Sequence, residues 1–98
     1  MPLHCEFSPL AELDIEEIGD YIARDNPSRA VSFIREIRER VAIIRAAPLA
    51  APLRQELGEG IGMVPVGRYL IFYVVHPETI RVERILHGAR NIPDLFGA

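Results

Sequence analysis

The stretch that decides the fold runs from residue 68 to residue 87 and reads RYLIFYVVHPETIRVERILH. Its residues 69–75 are apolar at odd and even positions alike, which is typical of a central strand covered on both faces. The segment HPET predicts a turn at residues 76–79, and residues 80–87 predict a second strand. The two strands therefore form the middle of a predicted sheet.

Residues 63–66 precede this stretch and predict one more strand. Pro65 and Gly67 interrupt it, which indicates a sheet edge or a tight reversal of the chain. Residues 63–87 thus predict a three-stranded meander. Residues 48–62 contain two prolines and three glycines, and this composition predicts a connecting loop with one helical turn near residues 54–57.

Residues 9–47 predict two amphipathic helices. Ser8 before Pro9, and Asn26 before Pro27, are capping residues followed by a proline at the first helical position. Apolar residues recur at steps of three and four in both segments, and the first segment is rich in acids. Because the connection between them is short, the helices are expected to form an antiparallel hairpin.

The remaining segments complete a single predicted domain. Residues 1–8 predict a short strand, and residues 88–98 form a C-terminal tail. The chain therefore predicts an α+β fold, in which an antiparallel sheet of the N-terminal strand and three C-terminal strands carries the helical hairpin on one face. The opposite face is expected to stay partly open, and a partner is expected there.

Composition argues against several classes of function. All 11 basic residues are arginines, and 14 acids give a formal charge of −3, so direct, sequence-specific nucleic-acid binding by this chain alone is not expected. The longest apolar run is far shorter than the roughly 20 residues of a membrane helix. The N-terminus has no secretory pattern and the chain has a single cysteine, so a reducing cytoplasm is expected.

Simple alternation along the last strand divides its side chains between two faces. Arg84 then lies among aliphatic residues, and we expect it to pair with a carboxylate from the acidic first helix. Arg81 and Arg90 are left available to a partner. The two predicted faces are Ile80, Val82, Arg84 and Leu86 on one side, and Arg81, Glu83, Ile85 and His87 on the other.

Two histidines are candidates for catalysis or metal binding. His87 has an intrinsic pKa of about 6.5, which suits a general acid or base, but a histidine at a strand end is also typical of a structural hydrogen bond. His4 lies beside Cys5, and neighbours on a strand point to opposite faces, so no metal site is expected there. No cofactor is expected.

Three segments of the chain form a familiar pattern. They read SPLAELDIEEIGDYIARDNPSRAVSFIREI at 8–37, VGRYLIFYVV at 66–75 and IRVERILHGARNIPDLF at 80–96. In this order they resemble the ParE branch of the RelE/ParE superfamily of type II toxin–antitoxin toxins, over essentially the whole chain. The resemblance implies a bacterial toxin with no enzymatic activity of its own, which binds DNA gyrase, arrests growth, serves plasmid stabilisation and is neutralised by a ParD-like antitoxin.

The RelE branch of the superfamily instead cuts ribosome-bound messenger RNA. Its pattern has lysines on the strand before the central one, an arginine after an aromatic residue in the central strand, and a tyrosine in the tail. This chain has no charge at residues 63–66, Leu70 after Tyr69, and Phe96 in the tail. We therefore expect no catalytic residue. The alternatives are a RelE-like ribonuclease that uses Arg68, Arg81, His87 and Arg90, and a non-toxic protein that only binds its antitoxin.

The resemblance also suggests which residues meet each partner. In ParE-like toxins the C-terminal segment is implicated in acting on gyrase, and the residues expected to contact gyrase here are Arg81, His87, Arg90, Ile92, Leu95 and Phe96. An antitoxin segment is expected to fold across the helical hairpin and along a sheet edge. The residues expected to meet its acids are Arg35, Arg38, Arg45 and Arg54.

Overall fold

The computed structural model describes residues 3–50 and 52–89. Its elements are β1 (His4–Phe7), α1 (Pro9–Ala23), α2 (Pro27–Ala46), a short 3-10 helix (Gln55–Leu57), β2 (Ile61–Val66), β3 (Tyr69–Val75) and β4 (Thr79–His87). This order confirms the predicted α+β architecture. The connecting loop ends earlier than predicted, because Gly62 pairs with Tyr73 as a regular member of β2.

Both helices begin at the predicted caps. The Ser8 side chain accepts a hydrogen bond from the backbone N–H of Ala11 (3.0 Å), and Asn26 accepts one from Arg29 (3.1 Å). Each such cap contributes about 1 kcal/mol to helix stability by satisfying an N–H that has no partner within the helix. The two helices pack against each other as a hairpin, and both contribute to the core on one face of the sheet.

The four strands lie in the order β1-β4-β3-β2. β3 pairs antiparallel with β2 and with β4, but β1 pairs parallel with β4, so the sheet is mixed and the expectation of a purely antiparallel sheet is wrong in this respect. No tight turn joins β1 to β4. The long intervening chain therefore leaves the direction of β1 free of the antiparallel constraint that a hairpin imposes.

Apolar side chains pack on both faces of the sheet. The larger cluster joins the helices to odd-numbered residues of β3, and Ile71, Tyr73 and Ile37 in it are at most 1% exposed. The second cluster lies on the other face and contains Phe72 and Leu86, which are 0% and 2% exposed. That face was expected to be partly open, and at these positions it is closed.

Candidate functional site

A bulge in β4 shifts the faces of the strand. Tyr73 pairs with Val82 and Phe72 pairs with Arg84, which leaves Glu83 as an extra residue. The Ser8 hydroxyl donates to the carbonyl of Glu83 (2.6 Å), and the Ser8 N–H donates to that of Val82 (2.9 Å). The bulge therefore forms where the start of α1 replaces β1 as the neighbour of β4.

The bulge also corrects the predicted division of β4. Simple alternation fails beyond it, because one extra residue moves every later side chain to the other face. Val82 and Ile85 both belong to the helix-side core, whereas Leu86 lies in the cluster on the opposite face. His87 pairs with Tyr69 and therefore lies on the helix side.

Arg84 reaches around the edge of β4 to Asp14 in α1. Its guanidinium donates two hydrogen bonds to the Asp14 carboxylate, at 2.9 and 3.0 Å, and the N–H of Ile85 donates a third at 2.9 Å. The side chain of Asp14 is 9% exposed. The hydrogen bond that Arg84 donates to Asp14 raises the pKa of Arg84, so this guanidinium stays charged throughout the physiological pH range. Arg84 has a structural contact of its own.

A cleft of about 470 Å³ opens where the end of the helical hairpin meets the turn between β2 and β3. We call it the hairpin cleft. It is lined by Tyr21, Ile22, Arg29, Phe33, Gly67, Arg68, Tyr69 and His87. Three aromatic rings and three basic groups thus share one opening, and the His87 and Arg68 that the sequence singles out lie together in it.

The rings of the hairpin cleft pack against one another. Tyr69 lies edge-on to His87 with centroids 5.3 Å apart, and it contacts Phe33 at 5.6 Å. The Arg29 guanidinium lies over the Phe33 ring at 5.1 Å and pairs with Glu36. Burial, followed by the nearby Tyr21, raises the pKa of Tyr69. Tyr69 therefore keeps its phenolic proton at neutral pH and can donate a hydrogen bond.

Backbone hydrogen bonds hold the rim of the hairpin cleft. Gly67 has a positive φ of 57°, which suits the tight turn that presents the exposed Arg68. The N–H of Gly88 donates to the carbonyl of Arg68 (2.9 Å), and the N–H of Ala89 donates to Nδ1 of His87 (3.1 Å). The imidazole of His87 therefore makes a local hydrogen bond through Nδ1, and its Nε2 faces away from that contact.

The other residues expected to contact gyrase lie elsewhere. Arg81 is near the opposite end of β4, beside β1, where it pairs with Glu6 (3.4 Å) and Glu83 (3.1 Å). The structure therefore does not bring Arg81 and His87 into one site. The remaining expected contacts, Arg90, Ile92, Leu95 and Phe96, lie outside the described residues.

Two of the four arginines expected to meet the antitoxin line a groove beside β1. Arg38 lies over the Phe7 ring at 5.7 Å, and Arg45 shares with it a groove of about 280 Å³. Burial raises the pKa of Cys5 in the same groove, partly offset by Arg45. Arg54 instead pairs with Glu56 in the connecting loop (2.6 Å), and Arg35 is exposed on α2.

Sequence reasoning missed most of the lining of the hairpin cleft. The position of Tyr69 in the central strand predicts a core residue. In the structure Tyr69 packs on the core and also lines the cleft. Tyr21 and Phe33 flank the apolar stripes of their helices. The signal that could have found them is Tyr21 itself, a large aromatic residue left 65% exposed at the end of an acidic helix.

The described residues contain neither a candidate metal centre nor a candidate membrane span. In residues 3–50 and 52–89, no cluster of three or more His, Cys, Asp or Glu side chains is arranged to hold a metal ion. Within the same ranges, no helix is long and apolar enough to cross a membrane.

Comparison with known proteins identifies the family. A solved structure described as a chromosomal ParDE toxin–antitoxin system from P. aeruginosa superimposes with a TM-score of 0.76 at 17% identity, covering 87% of this chain and 95% of that one. A RelBE2 toxin–antitoxin complex from Mycobacterium tuberculosis superimposes with a TM-score of 0.58 at 23% identity, covering 89% and 99%.

These two likenesses establish a shared fold. No curated protein matches the sequence. The family profile described as "ParE toxin of type II toxin-antitoxin system, parDE" matches residues 5–92. This chain therefore belongs to the ParE toxin family of type II toxin–antitoxin systems.

Proposed function

We propose that the protein inhibits DNA gyrase by binding it, with no catalytic residue of its own. The observation that carries this proposal is the apolar character of the sheet face opposite the helices. On that face Met63, Leu70, Phe72 and Leu86 pack in one cluster. The RelE-like pattern would place cations on the strands that hold these residues.

An arginine that β4 places opposite this cluster, Arg84, already forms an ion pair. Arg84 lies opposite Phe72 on the neighbouring strand, and its guanidinium is held by Asp14. Cleavage of a phosphodiester needs a base, an acid and cations around the phosphate. On this face the described residues place buried aliphatic and aromatic groups where cleavage would need cations, which supports an action by binding rather than by cutting RNA.

The test is a supercoiling assay with purified gyrase and purified toxin. We expect supercoiling to fall with increasing toxin, and cleaved DNA to accumulate in complex with gyrase. Expression without antitoxin should arrest growth, which separates a toxin from a protein that has kept only antitoxin binding. Gyrase that keeps its full activity at saturating toxin would overturn the proposal. Action on gyrase would also place the protein in the bacterial cytoplasm.

We further propose that a ParD-like antitoxin neutralises the toxin by laying an extended, acidic segment beside β1. β1 is an edge strand of the sheet, so its outer backbone groups are available for pairing with an added strand. Arg38 and Arg45 lie beside this edge in the groove that also contains Phe7. The two solved relatives are both toxin–antitoxin systems by their descriptions, which supports a partner of this kind.

A further inference from the structure

We propose that the hairpin cleft is the surface through which the toxin binds its target protein. The cleft would bind a carboxylate side chain of the target that lies beside an apolar side chain. This inference rests on the proposed function, because it assigns a site to the binding of gyrase. It also names what gyrase must present there, which is an acidic group flanked by an aliphatic or aromatic group.

Charge is the first argument for an acidic occupant. The chain as a whole is acidic, with a formal charge of −3, yet the hairpin cleft gathers two guanidinium groups, those of Arg29 and Arg68, beside the imidazole of His87. Arg29 already pairs with Glu36. Arg68 projects from the turn between β2 and β3 and is exposed. A guanidinium so placed suits a bidentate contact with a carboxylate.

The neighbouring groove fixes the orientation of the occupant. It shares Tyr21, Tyr69 and His87 with the hairpin cleft and adds Glu17, which does not line that cleft. Asp14 also lines this groove, but its carboxylate is occupied by Arg84. The acid of the occupant should therefore point toward Arg68, and its apolar neighbour should lie over Tyr21 and Tyr69.

The aromatic residues supply the apolar part of the site. Tyrosine and arginine are enriched at the energetic centres of protein interfaces, and tyrosine buries much surface while losing little side-chain freedom. Phe33 and Tyr69 are held in place by their mutual contact and by the core. Tyr21 is 65% exposed, and covering it would add buried apolar area without disturbing the fold.

Position separates the hairpin cleft from the antitoxin groove. Arg29 and Phe33 lie in the first two turns of α2, whereas Arg45 lies in its last turn. Arg38, the other arginine of the groove, is nine residues from Arg29, so the arginines of the two surfaces lie about 14 to 24 Å apart along the helix. A substitution in the hairpin cleft should therefore leave the antitoxin contacts of the β1 groove unchanged.

The chain leaves β4 at the rim of the hairpin cleft. The Gly88 N–H donates to the carbonyl of Arg68, and the Ala89 N–H donates to the imidazole of His87. The last residues that the structure describes therefore belong to the rim of the hairpin cleft.

The experiment compares three substitutions in purified full-length toxin. Arg68→Glu reverses the charge of the cleft, and Tyr21→Ala removes an exposed ring. Arg40→Glu reverses an equally exposed charge on α2 outside both surfaces and is the matched control. Each variant is titrated in the gyrase cleavage assay, and its affinity for the antitoxin is measured by calorimetry, which also verifies folding.

We expect Arg68→Glu and Tyr21→Ala each to weaken gyrase inhibition by about thirtyfold, the loss at the threshold of an interface hot spot. Antitoxin affinity should stay within about twofold, and Arg40→Glu should match the wild type in both assays. Wild-type inhibition by both cleft variants would overturn the site but leave the proposed function standing. Loss of antitoxin affinity with gyrase inhibition intact would also overturn it. Failure of the wild type to act on gyrase would overturn both.

Discussion

At the scale of single residues, Asp14 links the helical hairpin to the sheet. Its carboxylate accepts two hydrogen bonds from Arg84 and one from the N–H of Ile85, in a site that is 9% exposed. The N–H of Ile85 lies beyond the end of β1, so Asp14 supplies the acceptor that a neighbouring strand would otherwise provide. Asp14 therefore has a structural role.

Asp14→Asn should destabilise the fold. The amide has one oxygen instead of two and carries no charge, so Arg84 is left partly buried without its counter-charge. We expect the free energy of unfolding to fall by about 2–3 kcal/mol, slightly below the range for breaking a fully buried pair because Arg84 remains partly exposed. Urea denaturation measures the change. Glu16→Gln on the exposed face of the same helix is the control, and an equal effect of both would contradict this role.

Tyr73 gives the fold a dependence on alkaline pH. Its ring is 1% exposed and lies against Gly62 on β2. Burial raises the pKa of Tyr73 above its ordinary value of 10.0. The folded protein therefore holds this proton to higher pH than the unfolded chain does. The stability from this group is complete below pH 10.0 and is lost as the pH rises through the folded-state pKa.

Tyr73→Phe should flatten this dependence. We expect the melting temperature of the wild type to fall more steeply above pH 10.0 than that of the variant, each measured relative to its own value near pH 8. Part of the fall should remain in the variant, because burial also raises the pKa values of Tyr69 and Cys5. Identical slopes for the two proteins would show that another group controls the alkaline limit.

At the scale of elements, the edge strand β1 and the helix α2 together form the surface proposed for the antitoxin. Arg38→Glu combined with Arg45→Glu should weaken antitoxin binding by at least about tenfold, because two acidic groups would then face the acids of the partner. Calorimetry at low and physiological salt measures the loss. Arg40→Glu on the same helix should bind as the wild type does, and equal losses in both proteins would point to a general effect of charge.

Local signals made most of the elements predictable. Ser8 and Asn26, each followed by a proline, mark the starts of both helices, and the apolar run at 69–75 marks β3. The parallel pairing of β1 depends on contacts between distant segments, so no local pattern encodes it. The bulge at Glu83 depends in the same way on Ser8 and Asp14, which lie some 70 residues earlier.

Most of the lining of the hairpin cleft could not be predicted from the sequence for the same reason. Tyr21 and Arg29 lie near the end of the hairpin, while Arg68 lies in the turn between β2 and β3 and His87 at the end of β4. Each residue alone is typical of an ordinary surface or core position. Only the packing of the hairpin on the sheet brings them to one opening, so sequence could suggest His87 and Arg68 but not their neighbours.

At the scale of the whole molecule, two separate surfaces are proposed to bind the two partners. The β1 groove serves the antitoxin, and the hairpin cleft with the tail serves the target. Removal of residues 92–98 should therefore abolish growth arrest and leave antitoxin affinity unchanged. Expression from a tightly controlled promoter and calorimetry measure the two effects. Growth arrest by the shortened chain would show that the tail takes no part in toxicity.

The central claim is that this toxin acts by recognition and not by cutting RNA. The most direct measurement supplies one toxin preparation to gyrase with plasmid DNA and, in parallel, to a translating ribosome extract. We expect cleaved DNA trapped on gyrase and messenger RNA of unchanged length. Shortened messenger RNA that becomes full length again with His87→Ala, together with unaffected gyrase, would contradict the account.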